Sequence, residues 1–136
     1  MRSILWDFSG TIYDFREEKL VKGIDTILPK LSTYANHIIS TGTNDRISIL
    51  DRYNIKQFFS SLLFVPRKNI DLYKPFPKDS IVIGDRIRRE ITFGNELGMT
   101  TIWLKRGFFA DEAPEKKEEQ PDHIITALEQ IGQILL

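Results

Sequence analysis

Ile4-Leu5-Trp6-Asp7-Phe8-Ser9-Gly10-Thr11-Ile12 is the stretch on which the fold turns. A short apolar run rich in strand formers, stopped by Ser9-Gly10, reads as a buried strand with a carboxylate at its end. The same pattern recurs further along. His37-Ile38-Ile39 precedes Ser40-Thr41-Gly42, Leu62 to Val65 precedes Arg67-Lys68, and Ile81 to Ile83 precedes Gly84-Asp85; Thr101 to Leu104 and His123 to Ile125 complete the set. Helical spacings lie between these runs. Ile24, Ile27, Leu28, Leu31 and Tyr34 share one helical face, with Pro29 expected to kink that helix or delay its start. Asn44 or Asp45 caps a helix to about Tyr53, 69–73 carries a short one, Arg89 to Leu97 another with Gly98 as its stop, and Leu128 to Leu135 the last. Strands alternating with helices predict an α/β fold, a parallel sheet of five or six strands with helices on both faces and right-handed crossovers.

With 136 residues the chain is expected to form one domain, 1–136, because single cores organise about 100 to 200 residues. An apolar share of 41%, with nine Phe, four Tyr and two Trp, supplies a core and excludes a disordered chain. Nineteen Lys and Arg balance nineteen Asp and Glu, so no global field recruits nucleic acid or an anionic membrane. The absence of Cys excludes a disulfide framework, a thiolate zinc site and a Cys nucleophile, leaving oxygen or histidine to hold any metal. The N-terminus meets Asp7 after three apolar residues, short of a signal-peptide core of about 7 to 15, and no run approaches the roughly 20 residues of a membrane span. A cytoplasmic protein is expected, with no membrane partner. The charged run in 111–122 reads as a solvated loop.

Ligands of parallel α/β sheets sit beyond the carboxyl ends of the strands. Those ends collect Asp7, Ser9, Gly10 and Thr11; Ser40, Thr41 and Gly42; Arg67 and Lys68; Gly84 and Asp85. Asp7 and Asp85 repel each other unless a cation lies between them, and Mg²⁺, a hard oxygen-binding ion, meets that need. A lysine and a hydroxyl on the same rim complete a site for phosphoryl oxygens. An Asp so placed can also act as a nucleophile and form an aspartyl-phosphate.

These residues resemble the motifs of the haloacid dehalogenase-like (HAD) hydrolase superfamily. Asp7-Phe8-Ser9-Gly10-Thr11 is similar to its first motif, Asp-x-Asp-Gly-Thr; Ile38-Ile39-Ser40-Thr41-Gly42 to its second; and Gly84-Asp85 with Glu90 to its fourth. Gly94 to Ile102 and Pro121 to Ile125 are also similar to family sequences, so the resemblance runs the length of the chain. It implies a Rossmann-like sheet in which Asp7 attacks phosphorus, Ser40 bonds the transferring group, a lysine neutralises it, and Asp85 holds Mg²⁺ with Asp7 and the main-chain carbonyl of Ser9. Gly10, Thr11, Thr41 and Gly42 would line the phosphate site, and Glu90 would orient the metal shell through water.

Two lysines compete for the neutralising role. Lys74-Pro75-Phe76-Pro77 looks like the Lys-Pro-x-Pro around the family's third-motif lysine, but Lys68 follows the third strand directly, whereas Lys74 lies at the far end of the crossover. Lys68 is preferred and Lys74 kept as the alternative.

The pattern departs from the family at Ser9, where its phosphatases carry the acid that protonates the leaving oxygen; losing general acid–base catalysis costs about 10²- to 10⁴-fold. Slow or specialised turnover is expected. Branches with Ala, Tyr or Thr there resemble phosphonatases, dehalogenases and transport ATPases. The spacings from Asp7 to Ser40 and from Ser40 to Lys68 leave no room for an inserted cap. A capless site suits a macromolecular phosphorylated substrate, or cover by a second subunit in a homo-oligomer. Tyr13, Phe15, Phe108 and Phe109 are candidates for such an interface, core packing being the expected use of at least half. Arg86, Arg88 and Arg89 could bind an anionic substrate near the mouth, but a solvated face with partners such as Glu90 is the preferred reading; His37 and His123 are assigned no function. The principal expectation is a Mg²⁺-dependent phosphohydrolase. The alternatives are a phosphate- or phosphoprotein-binding module with little turnover and, less favoured, a metal-free dehalogenase.

Overall fold

The computed structural model of the chain describes residues 1–136. Strand β1 (Ser3–Trp6) leads into a small antiparallel hairpin, β2 (Tyr13–Asp14) and β3 (Lys19–Leu20), and then helix α1 (Ile24–Lys30). There follow β4 (Ala35–Thr41), α2 (Ile47–Arg52), β5 (Phe59–Val65), β6 (Ile81–Gly84), α3 (Thr92–Glu96), β7 (Thr100–Leu104), β8 (His123–Ile125) and α4 (Ile131–Leu135). Six strands form one sheet in the order β5-β4-β1-β6-β7-β8, every neighbour parallel, with the hairpin outside it. No helix is long and apolar enough to cross a membrane.

The continuous apolar strands follow from burial on both faces. Side chains alternate across the pleat: Ile4, Trp6, Ile38, Ile81 and Ile83 join α1 and α4 in a core of 20 buried residues, while Leu5, Ile39 and Val82 pack with Tyr73 and Met99 on the other face. One buried polar pair crosses the larger core, where the Trp6 indole donates to Asn36 Oδ1 at 2.8 Å and the Asn36 amide donates to the Leu31 carbonyl.

Several elements differ from the sequence expectations for local reasons. Pro29 falls in the last turn of α1, which ends at Lys30, so it stops the helix instead of kinking it. Strand β1 ends at Trp6, and β5 begins at Phe59, where exposed Ser60 and Ser61 on an edge strand hide the apolar signal. The helix expected over 69–73 is a single 3₁₀ turn, Ile70–Leu72, capped by the Asn69 side chain, which accepts from Asp71 N–H at 2.9 Å. The helix expected from Arg89 is broken by a wide π turn, Ile87–Ile91, with Arg88 and Arg89 off helical dihedrals. The 111–122 segment is packed, not merely solvated. Glu112 Oε1 accepts from Ile87 N–H, Glu119 is buried, and Arg88 lies within ion-pair distance of Glu112, Glu115 and Glu119.

Candidate active site

The carboxyl ends of the central strands meet around Asp7. Its N–H donates to the Ile83 carbonyl at 3.0 Å, carrying the β1–β6 ladder one residue beyond the strand and holding the side chain at the sheet's edge. Ser40, in β4, donates its hydroxyl to Asp7 Oδ1 at 3.3 Å. Lys68, three residues past β5, places Nζ 2.8 Å from Asp7 Oδ1 and 3.0 Å from Glu90 Oε1, with only 3% of its side chain exposed. Burial alone opposes the Lys68 charge, but Asp7 and Glu90 outweigh it and hold the ammonium well above its ordinary range.

Asp85 follows β6 and faces Asp7 without a cationic partner. Burial first, then the charges of Asp7 and Glu90, push its carboxyl up to about 9. Gly10 opposite has a positive φ of +79°, and the Asp85 carboxylate occupies the space its Cβ would need. Glu90 is fully buried, with Oε1 on Lys68 and Oε2 accepting from Arg86 N–H at 2.9 Å. Burial raises the Glu90 carboxyl, with Lys68 opposing.

Oxygens of Asp7, Asp85 and Glu90 lie within 4.8 Å of one another. The donor set fits a hard divalent cation, because three buried carboxylates face one ammonium and an added positive charge offsets the excess. Since both Glu90 oxygens already accept hydrogen bonds, Asp7 and Asp85 are the side chains free to hold it.

These groups floor a cavity of about 390 Å³ that Asp7, Ser9, Gly10, Thr41, Lys68 and Asp85 all line. Three residues expected at the site stand apart from it. Lys74 is exposed and pairs with Asp71 at 2.8 Å, because the short turn after Lys68 carries the chain away from the rim. Thr11 is fully buried below the loop, and Gly42 is covered by the Arg46 side chain.

The walls hold residues that the sequence reading gave to other uses or passed over. Arg86 and Arg89 line the cavity, where the less favoured reading put them, and not a solvated face, while Glu90 pairs with Lys68 instead of with their guanidinium groups. Arg106 follows β7, donating to the Gly10 carbonyl at 3.2 Å and to Asp14 Oδ2 at 2.9 Å. Extending the strand-end rule to the fifth strand would have found it. Phe15, Phe108 and Phe109 rim the opening, whereas Tyr13 is buried in the core.

A family model described as HAD-hydrolase-like matches residues 56–131. A glyceraldehyde 3-phosphate phosphatase of Pyrococcus furiosus is 33% identical over 69 residues, 51% of this chain and 28% of that protein. The matched stretch therefore spans little more than a quarter of that relative. Among solved structures, the magnesium-bound HAD-hydrolase YfnB of Bacillus subtilis superposes with a TM-score of 0.84 at 14% identity, covering 98% of both chains. The L-2-haloacid dehalogenase of Xanthobacter autotrophicus superposes with a TM-score of 0.75 at 11% identity, again over 98% of both. Both likenesses concern the fold alone, and a dehalogenase shares it, so the reaction must be argued from the site.

Proposed function

Since this chain belongs to the HAD-like hydrolase family, we propose that it is a phosphohydrolase working through Asp7. The observation that carries the reading is the Lys68 ammonium, buried and bonded to Asp7 and Glu90 at 2.8 and 3.0 Å. Displacement of halide from a haloalkanoate forms a bond to carbon and brings no cluster of charged oxygens to the nucleophile, whereas a phosphoryl group spreads charge over three oxygens that an ammonium beside the nucleophile can meet.

Asp7 attacks phosphorus with a carboxylate oxygen while the bond to the leaving oxygen breaks, giving an aspartyl-phosphate. Lys68 and Ser40 hold Asp7 in line and offer donors to the phosphoryl oxygens. Glu90 keeps Lys68 charged and in place. Mg²⁺, held by Asp7 and Asp85 with the Ser9 main-chain oxygen as a further donor, would neutralise phosphoryl charge. Water then attacks the acyl-phosphate and returns Asp7 with release of phosphate.

The leaving oxygen has no carboxylic acid two residues after Asp7, because Ser9 stands there. Asp14 does not substitute for it. Its bond to Arg106 holds it below the usual carboxylate range, so it carries no proton near neutrality. Leaving groups of low basicity are therefore favoured. The matching reading from Ser9 is a phosphate-binding module that hydrolyses little.

The test is phosphate release from an aryl and an alkyl phosphate, with and without Mg²⁺, by wild type, Asp7→Asn and Ser9→Asp. Mg²⁺-dependent release lost in Asp7→Asn is expected, with the alkyl ester gaining about 10²- to 10⁴-fold in Ser9→Asp. Undiminished turnover by Asp7→Asn overturns the reading. Tight phosphate binding with no turnover by any of the proteins establishes the binding module.

A further inference from the structure

Resting on the phosphohydrolase reading, we infer that the substrate carries a second anionic group on its leaving portion, a carboxylate or a phosphate, gripped by Arg86 and Arg89.

Charge pairing inside the cavity motivates this. Its lining contains four carboxylates, Asp7, Asp14, Asp85 and Glu90, against five cations, Arg16, Lys68, Arg86, Arg89 and Arg106. Lys68 is consumed by Asp7 and Glu90, and Arg106 by Asp14. A divalent cation at Asp7 and Asp85 would meet the transferring phosphoryl group together with Lys68. Arg16, Arg86 and Arg89 are left over with no carboxylate within ion-pair distance; Arg16 is exposed to solvent, whereas Arg86 and Arg89 are partly buried.

The neighbouring arginine shows that this is selective. Arg88, between them in sequence, faces the opposite way and reaches three glutamates of the 111–122 loop. The off-helix dihedrals at Arg88 and Arg89 separate the three side chains, sending one to structural acids and two to the cavity. Arg86 is also held in place, its guanidinium 4.0 Å over the Phe109 ring and its Nε buried with no acceptor. A half-buried guanidinium without an anion sacrifices hydration for nothing in the free protein. A planar fork fits carboxylate and phosphate alike. Because the backbone N–H of Arg86 bonds Glu90, which bonds Lys68, the arginine wall is anchored one carboxylate away from the lysine that grips the reacting phosphoryl group. At about 390 Å³ the cavity suits a small bis-anionic ester.

The experiment compares compounds sharing one three-carbon frame: glycerol 3-phosphate, neutral at the far end; 3-phosphoglycerate, with a carboxylate there; and glycerol 1,3-bisphosphate, with a phosphate. For each, kcat/KM and equilibrium binding by calorimetry are measured on wild type, Arg89→Gln and Arg89→Lys. At least one anionic compound is expected to exceed the neutral one by tenfold or more, the difference lying in KM and in Kd. Arg89→Gln should bring that ratio close to one, and Arg89→Lys should restore part of it. Which anionic compound leads identifies the group. Equal kcat/KM for all three overturns the inference while the phosphohydrolase reading stands. Anion-dependent binding that Arg89→Gln abolishes upholds the second-anion site even where none of the three alkyl esters turns over, and its absence overturns that site; the phosphohydrolase reading falls only where the aryl phosphate is not hydrolysed either.

Discussion

The Trp103 indole N–H donates to the Asp85 main-chain oxygen at 2.9 Å, so a side chain of β7 fixes the backbone of an acid carried by β6. Trp103→Phe keeps an aromatic ring in the core but leaves that buried carbonyl without its donor, at a cost of about 1 to 3 kcal/mol. Denaturant unfolding should show this loss, and Mg²⁺ affinity should fall with it because Asp85 is no longer held from behind.

Gly84 carries a sharper dependence, since the Glu90 side chain occupies the space a Cβ at position 84 would need. Gly84→Ala is expected to displace Glu90, and with it the contacts to Lys68 and to the Arg86 N–H. Displacing a reacting group's support by about 1 Å costs on the order of 10²-fold in rate. Turnover should fall at least that far, with Lys68 losing one of its two carboxylates.

Metal binding should depend steeply on pH. Burial, with the charges of Asp7 and Glu90 beside it, pushes the Asp85 carboxyl up to about 9. Proton and cation compete for the same carboxylate, so below that value each pH unit weakens apparent Mg²⁺ affinity by up to tenfold. Calorimetry between about pH 6 and 9 should show Kd falling as pH rises, with close to one proton released per ion at the lower end. A Kd independent of pH would contradict the assignment of Asp85 as a ligand.

A different acid governs the acid limb of stability. Asp14 is lowered by its bond to Arg106 and by the N–H groups of Glu17 and Arg16. Its pKa is lower in the folded than in the unfolded chain, so its contribution is complete above the unfolded value near 4 and disappears as pH falls through the folded value. Asp14→Asn should be less stable than wild type at neutral pH. That difference should shrink as unfolding is measured at successively lower pH below about 4.

The sheet was legible because its central strands β1, β6 and β7 are apolar on both faces, and because β1, β4, β6 and β7 run into Ser, Gly, Asp or a cation. The same signal located Asp7, Ser40, Lys68 and Asp85 at the rim. Position relative to the strand favoured Lys68 over Lys74, although Lys74 has the more family-like neighbours. What escaped notice had no periodic or terminal signal. The hairpin of β2 and β3 has strands of two residues each, too short for alternation to register. The direction of Arg86, Arg88 and Arg89 depends on the π turn, which no spacing announces. The packing of Glu112 and Glu119 depends on a partner, Arg88, far away in sequence, so a charged loop looked simply wet.

The central place of β1 has a kinetic consequence. Its neighbours in the sheet are β4 and β6, and Asp7 meets partners 33 and 61 residues along the chain. No contiguous fragment contains a working half of the rim, and the loop-closure entropy of those pairings must be met before any side chain of the site finds its neighbour. Affinity for phosphate and metal should thus emerge only with the final cooperative step of folding, and a bound ligand should slow the opening of the whole sheet rather than of one loop.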